Sequence, residues 1–312
     1  MQTDPTRNRP SIPVTYLILA FGITWLCWIP SLIIAKQQGY VLPTLANVSL
    51  FLDAGFTNAE HGLVSILFSL AVYGPLTAAV VVTAREKGKA GLVDLAARVT
   101  KWRVPAKWYG LLFGIALLLP LVPRLIGEVT GLVQPGGPAG AWTLPFLAGL
   151  FFWQVLTSGL GEEPGWRGYL LPYLQARHGG DKSVWLLGII WAVWHYPFTI
   201  YDTVTKMVDV PLAGMVVTIG LALLGQTMAL VGITYLYTWL YNHTRSVFLA
   251  ILFHALSNFL PAVLLAGVSP SLGILAAVMP WLVAFALEKI YGKEQFPGHG
   301  LQPIGLPPAG DA

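Results

Sequence analysis

Charge is scarce in this chain. Of 312 residues, 18 are Lys or Arg and 14 are Asp or Glu, 10% in all, against about 25% in a typical soluble domain. A soluble fold of this length could not cover its surface with so little charge. The 55% hydrophobic content excludes disorder as well. Cysteine is scarcer still. Cys27 is the only one, so neither a disulfide framework nor a Cys-rich zinc module is available. The net charge of +4 sits in a few loops and forms no nucleic-acid-binding face, so no nucleic-acid partner is expected. Strand-period alternation is missing, which argues against a transmembrane barrel. The lack of an internal repeat weakens an inverted-repeat transporter.

What the chain has in quantity is long apolar runs. Eight are long enough to cross a bilayer, roughly 14–35, 62–84, 108–127, 142–174, 183–201, 211–240, 245–266 and 271–291, where about 20 mostly apolar residues are needed. The first is too long for the apolar region of a signal peptide, and no clean cleavage site follows it. The expected fold is therefore all-α, a polytopic bundle of about eight transmembrane helices, with integral multi-pass localisation (the cell membrane in a prokaryote). Residues 1–12 read as a polar tail, 13–141 as helices one to three, 142–266 as helices four to seven, the stretch that holds the candidate catalytic residues, 267–291 as the last helix and 292–312 as a disordered Pro/Gly tail.

Basic residues orient the bundle. From a cytoplasmic N-terminus, alternation puts 14 of the 18 inside, seven in the 85–107 loop alone, leaves Lys36, Arg124 and Lys206 outside, and puts Arg167 within a span. Both termini are expected in the cytoplasm. Membrane lipids are the expected surroundings, and the 85–107 loop offers anionic headgroups a basic surface. Tryptophans 102, 108, 142, 185 and 239 read as interface anchors.

Ionisable groups inside spans are costly and default to functional candidates. The fourth span carries Gly161-Glu162-Glu163-Pro164-Gly165-Trp166-Arg167-Gly168, the fifth Trp191-Ala192-Val193-Trp194-His195, the seventh Phe253-His254-Ala255-Leu256-Ser257-Asn258. Gln226 in the sixth reads as interhelical glue, and Cys27 as packing. At about 100° per residue, Glu163 and Arg167 share a face, whereas Glu162 points elsewhere without a sequence-local partner. A proline at 164 frees a carbonyl and kinks the helix, so these angles hold only if the helix continues through it. His254 and Asn258 are i,i+4 neighbours offering a ring N–H and an amide N–H, a pairing suited to a developing oxyanion. Counted from the nearest basic loop residue, His254, His195 and Glu162 lie roughly 14, 20 and 22 Å deep, so they can share one cavity toward the cytoplasmic half.

Several hydrolase schemes fail on the residues. There is no His-Glu-x-x-His, no Gly-x-Ser-x-Gly elbow and no partner for Cys27, and Tyr201-Asp202 is followed by no Gly-x-Gly-Asp. A carboxylate and an imidazole to activate water remain, with a His/Asn donor pair: the parts of amide hydrolysis without a covalent intermediate.

These residues resemble the three motifs of the type II CAAX prenyl endopeptidases, within the CPBP (Abi) intramembrane protease family: Glu162-Glu163-x-x-x-Arg167, His195 in an aromatic-rich helix, and His254-x-x-x-Asn258. The flanking Trp166-Arg167-Gly168-Tyr169-Leu170 and Trp194-His195-Tyr196-Pro197 are similar to it too. The resemblance covers about residues 145–265. It implies a membrane-embedded endopeptidase in which Glu162 and His195 activate water, His254 and Asn258 form the oxyanion hole, and Glu163 and Arg167 shape the site. Trp191 stands where the second motif usually has Phe, which alters the pocket's shape. The family is often labelled metallo-. A divalent ion such as zinc on Glu162, His195 and His254 and a metal-free glutamate mechanism both fit the residues. The implied partner is a membrane-associated or lipidated peptide or protein entering from the cytoplasmic half, with the substrate itself unnamed. The readings from other classes are a proton-coupled transporter with Glu162 as carrier and a scaffold whose polar residues only join helices.

Overall fold

A computed structural model describes residues 12–134 and 142–292; the expected tails, with Arg7, Arg9 and Lys293, lie almost wholly outside them. Among the described residues there is no strand, only an isolated bridge between Val133 and Val268. Eight helices among the described residues are long and apolar enough to span a membrane: α1 Val14–Gln38, α2 Ala59–Val99, α3 Ala106–Thr130, α4 Leu144–His178, α5 Gly180–Thr205, α6 Leu212–Thr244, α7 Val247–Leu264 and α8 Gly273–Tyr291. Each overlaps one expected span, to within two residues at the ends where it falls short. Their outward faces are apolar, with Leu26 78%, Leu221 64% and Ile290 73% exposed, a pattern only a lipid environment accommodates. The protein is an integral multi-pass membrane protein.

Local chemistry sets the ends. Asn58 and Ser246 accept hydrogen bonds from the backbone N–H of His61 and Leu249, at 2.8 and 3.1 Å, capping α2 and α7. Gly39 and Gly131 close α1 and α3 in the left-handed conformation. Two expectations need correction. The 85–107 segment is not simply a loop: α2 breaks at Gly88 (φ +58°) and then continues as helix to Val99. Trp108 and Trp239 are not interface anchors. They are 7% and 1% exposed and pack on each other with ring centroids 5.3 Å apart.

In the bundle α4 lies between α2 and α7, α1 packs on α2 and α5, α5 on α6, α3 on α7, and α8 on α6 and α3. The α2–α4 contact is a close backbone approach. A Cβ added at Gly161 would fall 2.8 Å from the Val72 carbonyl oxygen, and one at Gly165 2.5 Å from that of Pro75. Glycines four apart are the spacing by which membrane helices meet at backbone distance. Gln226 acts as expected: its Oε1 accepts a short hydrogen bond from Thr199 of α5. A short helix, Val48–Ala54, roofs an apolar cavity of about 490 Å³ whose walls include Phe51, Phe56, Leu70, Phe146, Leu150 and Trp153.

Candidate active site

The site is built on a helix that is wound irregularly where it carries charge. Within α4, π turns at Val155–Gly159 and Trp166–Leu170 flank the α-helical Leu160–Gly165. A π turn inserts a residue and resets which side chains share a face; such turns collect at functional sites. Pro164 sits between them. The lost hydrogen bond at proline is thereby absorbed into a winding change, and the chain stays helical throughout.

The resulting face gathers both glutamates. Glu162, Glu163 and Arg167 are the buried Asp, Glu, Lys or Arg side chains among the described residues, at 2%, 0% and 0% exposure. Arg167 Nη1 donates to Glu163 Oε1 at 2.9 Å, forming the expected i,i+4 pair. The pair is not closed on itself. His254 Nδ1 donates to the same Glu163 oxygen at 2.8 Å, tying α7 to α4. The guanidinium is also sandwiched, its carbon lying 4.4 Å from the Trp191 ring centroid and 3.9 Å from that of Tyr237. Aromatic faces supply the attraction that hydrogen bonds do not, since Arg167 Nε and Nη2 find no hydrogen-bond partner.

Glu162 is not without a local partner, which corrects the sequence expectation. Its Oε2 accepts from the indole N–H of Trp166, four residues on, at 3.2 Å, and from that of Trp191, on α5, at 2.7 Å. Its Oε1 lies 3.9 Å from His254 Nε2. His254 thus stands between the two carboxylates, one ring nitrogen toward each.

His195 and Asn258 arrive by other routes. His195 Nδ1 donates to the Trp191 carbonyl at 2.9 Å, leaving Nε2 as an acceptor. Its ring packs edge-on to Trp194 at 4.6 Å and near Trp191 at 5.9 Å and Trp28 at 6.2 Å. The first span therefore walls this region, with Trp25 of α1 donating to the Trp194 carbonyl at 2.9 Å. Asn258 donates from Nδ2 to Gln154 Oε1 at 3.1 Å, where Ser158 also donates at 3.2 Å. His254 and Asn258 share a helix face but engage different partners on α4.

Sequence reasoning missed Gln154, Trp166 and Tyr237 as contact residues. Gln154, 5% exposed, had a signal: an amide in an apolar run, as at Gln226. The indoles had none, because which N–H meets the carboxylate is set by packing. As for a metal, no group of three His, Cys, Asp or Glu among the described residues is arranged to hold one. Glu162 Oε2 faces two N–H donors and each Nδ1 is spent on an acceptor, which leaves Glu162 Oε1 and the Nε2 atoms of His195 and His254 as the positions that could hold a divalent ion.

Two comparisons with known proteins bear on the class of the chain. Residues 143–260 match the family model described as type II CAAX prenyl endopeptidase Rce1-like. The chain is 24% identical over 294 residues to the CAAX prenyl protease 2 of Methanococcus maripaludis, covering 91% of this chain and 95% of that protein. The proton-coupled transporter reading finds no support in either. A chain whose fourth to seventh spans carry that match, and which is similar to such a protease along almost its whole length, resembles the Rce1-like type II CAAX prenyl endopeptidases, a likeness that supports a membrane-embedded peptidase.

Proposed function

We propose that the chain hydrolyses a peptide bond of a membrane-associated or lipidated peptide or protein, with Glu162 as the base that activates water. One observation carries this reading: a buried carboxylate with one oxygen held by two indoles and the other facing His254 Nε2 across 3.9 Å. A water between those two atoms can bond to both, since two hydrogen bonds of about 2.8 Å span such a gap. Glu162 takes a proton from that water, and the hydroxide adds to the scissile carbonyl carbon. His195 Nε2, an acceptor, helps to orient the water. The oxyanion is met by the second amide proton of Asn258 and by His254. Two carboxylates beside one guanidinium leave the cluster one positive charge short of neutral. With its Nδ1–H given to Glu163, His254 donates to the oxyanion only with a second proton on Nε2. Glu162 then passes its proton to the departing amine nitrogen as the C–N bond breaks.

No step of this reading requires a metal; a divalent ion, if held, would sit on Glu162 Oε1 and the Nε2 atoms of His195 and His254 and would polarise the same water. The apolar cavity that Leu150 and Trp153 line offers room for the apolar flank of a substrate. The basic asymmetry supports cytoplasmic termini and substrate entry from that half; the chamber, walled by Pro43, Val48, Phe51 and Phe56 of the external 36–61 segment, then takes the far end of the substrate's apolar chain. In a Cys27→Ser background, single cysteines placed in 36–61 label from the external face; labelling from the cytoplasmic face alone overturns that orientation. The chemistry is tested by offering purified protein a library of lipidated and unlipidated peptides, wild type beside Glu162→Gln. Cleavage by wild type only is expected, and equal turnover by the variant overturns the assignment. A stoichiometric zinc lost on substituting Glu162, His195 and His254 in turn, with chelated enzyme revived by zinc, overturns the metal-free route.

A further inference from the structure

We infer that Trp191 is a positioning residue which, with Trp166, selects the oxygen of Glu162 that performs proton transfer. The inference rests on the hydrolytic reading of Glu162 and goes beyond the roles the motifs imply, where position 191 supplies only an aromatic wall.

A carboxylate has two equivalent oxygens and about four lone-pair sites. Free rotation in a pocket would present either oxygen to the reacting water. Here both indole N–H groups converge on Oε2, at 2.7 Å from Trp191 and 3.2 Å from Trp166, and neither is directed to Oε1. The clamp is rigid because its members are immobile. Trp166 is fully buried and Trp191 is 3% exposed. Trp166 is held edge-on between Tyr16 and Trp194, at 6.0 and 5.8 Å, and Trp191 lies against Tyr237 and His254, at 5.7 and 5.5 Å. With Oε2 saturated from two sides, Oε1 is the oxygen left facing His254.

Trp191 does two things with one side chain. Its ring face covers the Arg167 guanidinium at 4.4 Å, while its N–H edge grips Glu162. It therefore links the charge-balanced Glu163–Arg167 pair to the separate Glu162. Phenylalanine at this position reproduces the face but not the N–H. The second donor is thus particular to a chain with tryptophan here, and the two functions are separable by substitution.

Kinetics on the library peptide that wild type cleaves fastest give the first readout. Trp191→Phe keeps the stacked ring, so KM should stay within about twofold. Its kcat should fall about ten- to hundredfold, the range for a lost hydrogen bond to a charged group and for an ångström-scale misplacement. Trp166→Phe, the longer contact, should fall less. A Trp191→Phe enzyme with wild-type kcat, or one impaired through KM alone, overturns the inference. The second readout needs no turnover. In protein labelled with ¹⁵N-tryptophan, the indole N–H resonance assigned by its loss in Trp191→Phe should shift upfield in Glu162→Ala and stay in place in Asn258→Ala. If it is indifferent to Glu162→Ala, the clamp does not exist, whether or not the substituted enzymes fold well enough to assay. A wild type that cleaves nothing in the library refutes the hydrolytic reading, while the resonance still reports on the clamp.

Discussion

Two stretches of α4, about two helical turns apart, have opposite characters. Phe146, Leu150 and Trp153 line an apolar chamber of about 490 Å³. Glu162, Glu163 and Arg167 lie in a packed cluster with almost no exposure. The chamber is roomy and chemically bland, so it can hold a bulky apolar group but direct no reaction. The cluster is full and directional: each carboxylate oxygen that bonds has named donors, and the rings of Trp191 and Tyr237 occupy the volume around Arg167. One helix thus separates an apolar volume from a cluster of polar groups. The π turn at Val155–Gly159 lies between them.

The sharpest break of this comparison is to disarm the polar stretch and leave the chamber alone. Glu162→Gln should lower turnover by about 10²–10⁴-fold, with the thermal unfolding midpoint close to wild type, since an amide oxygen still accepts from the two indoles. Asn258→Ala should lower kcat by about 10²–10³ for one lost oxyanion donor, with KM little changed. A steady-state assay that shows KM rising instead would move Asn258 to the substrate-binding side.

Glu163→Gln tests structure where Glu162→Gln tests chemistry. It leaves Arg167 buried without its counter-charge, at a cost of about 3–5 kcal/mol, read as a lowered unfolding midpoint in detergent. Gly165→Ala pushes a methyl against the Pro75 carbonyl at the α2–α4 contact and should cost about 1–3 kcal/mol; the same melting experiment checks it. The smallest effect belongs to the chamber. Gly149→Leu fills part of it and should raise KM for a lipidated peptide about tenfold, or ~1.4 kcal/mol, with kcat within about twofold. Equal KM in variant and wild type would remove the chamber from substrate binding.

Much of the bundle was legible because its determinants are local. A run of about 20 apolar residues specifies a span wherever it packs, so all eight helices were foreseen within a few residues at most ends. The helical run beyond Gly88 was not, because segment 85–99 is too charged to read as a span and its helix leans on buried Gly91 and Leu95. At the site, Glu163–Arg167 was visible because i,i+4 partners meet on any helix. Glu162–Trp166 has the same spacing and was overlooked, because an indole signals packing more readily than hydrogen bonding. The Trp25, Trp28 and Tyr16 contacts could not be read, because they join α1 to residues more than a hundred positions away.

By itself, the sequence determined the membrane class, the number of spans and the short list of side chains with chemistry to offer. Each of these follows from composition or from neighbours along one helix, and burial of charge is too costly in a bilayer to be incidental. The tertiary structure alone decided how that list is wired. His254 stands between Glu162 and Glu163, and Asn258 is tied to Gln154. One oxygen of Glu162 is pinned by indoles from two helices. The physical reason is that hydrogen bonds at 2.7–3.2 Å depend on side-chain directions set by interhelical packing and by π turns that shift the register of α4. A one-residue change in winding rotates a face by about 100°.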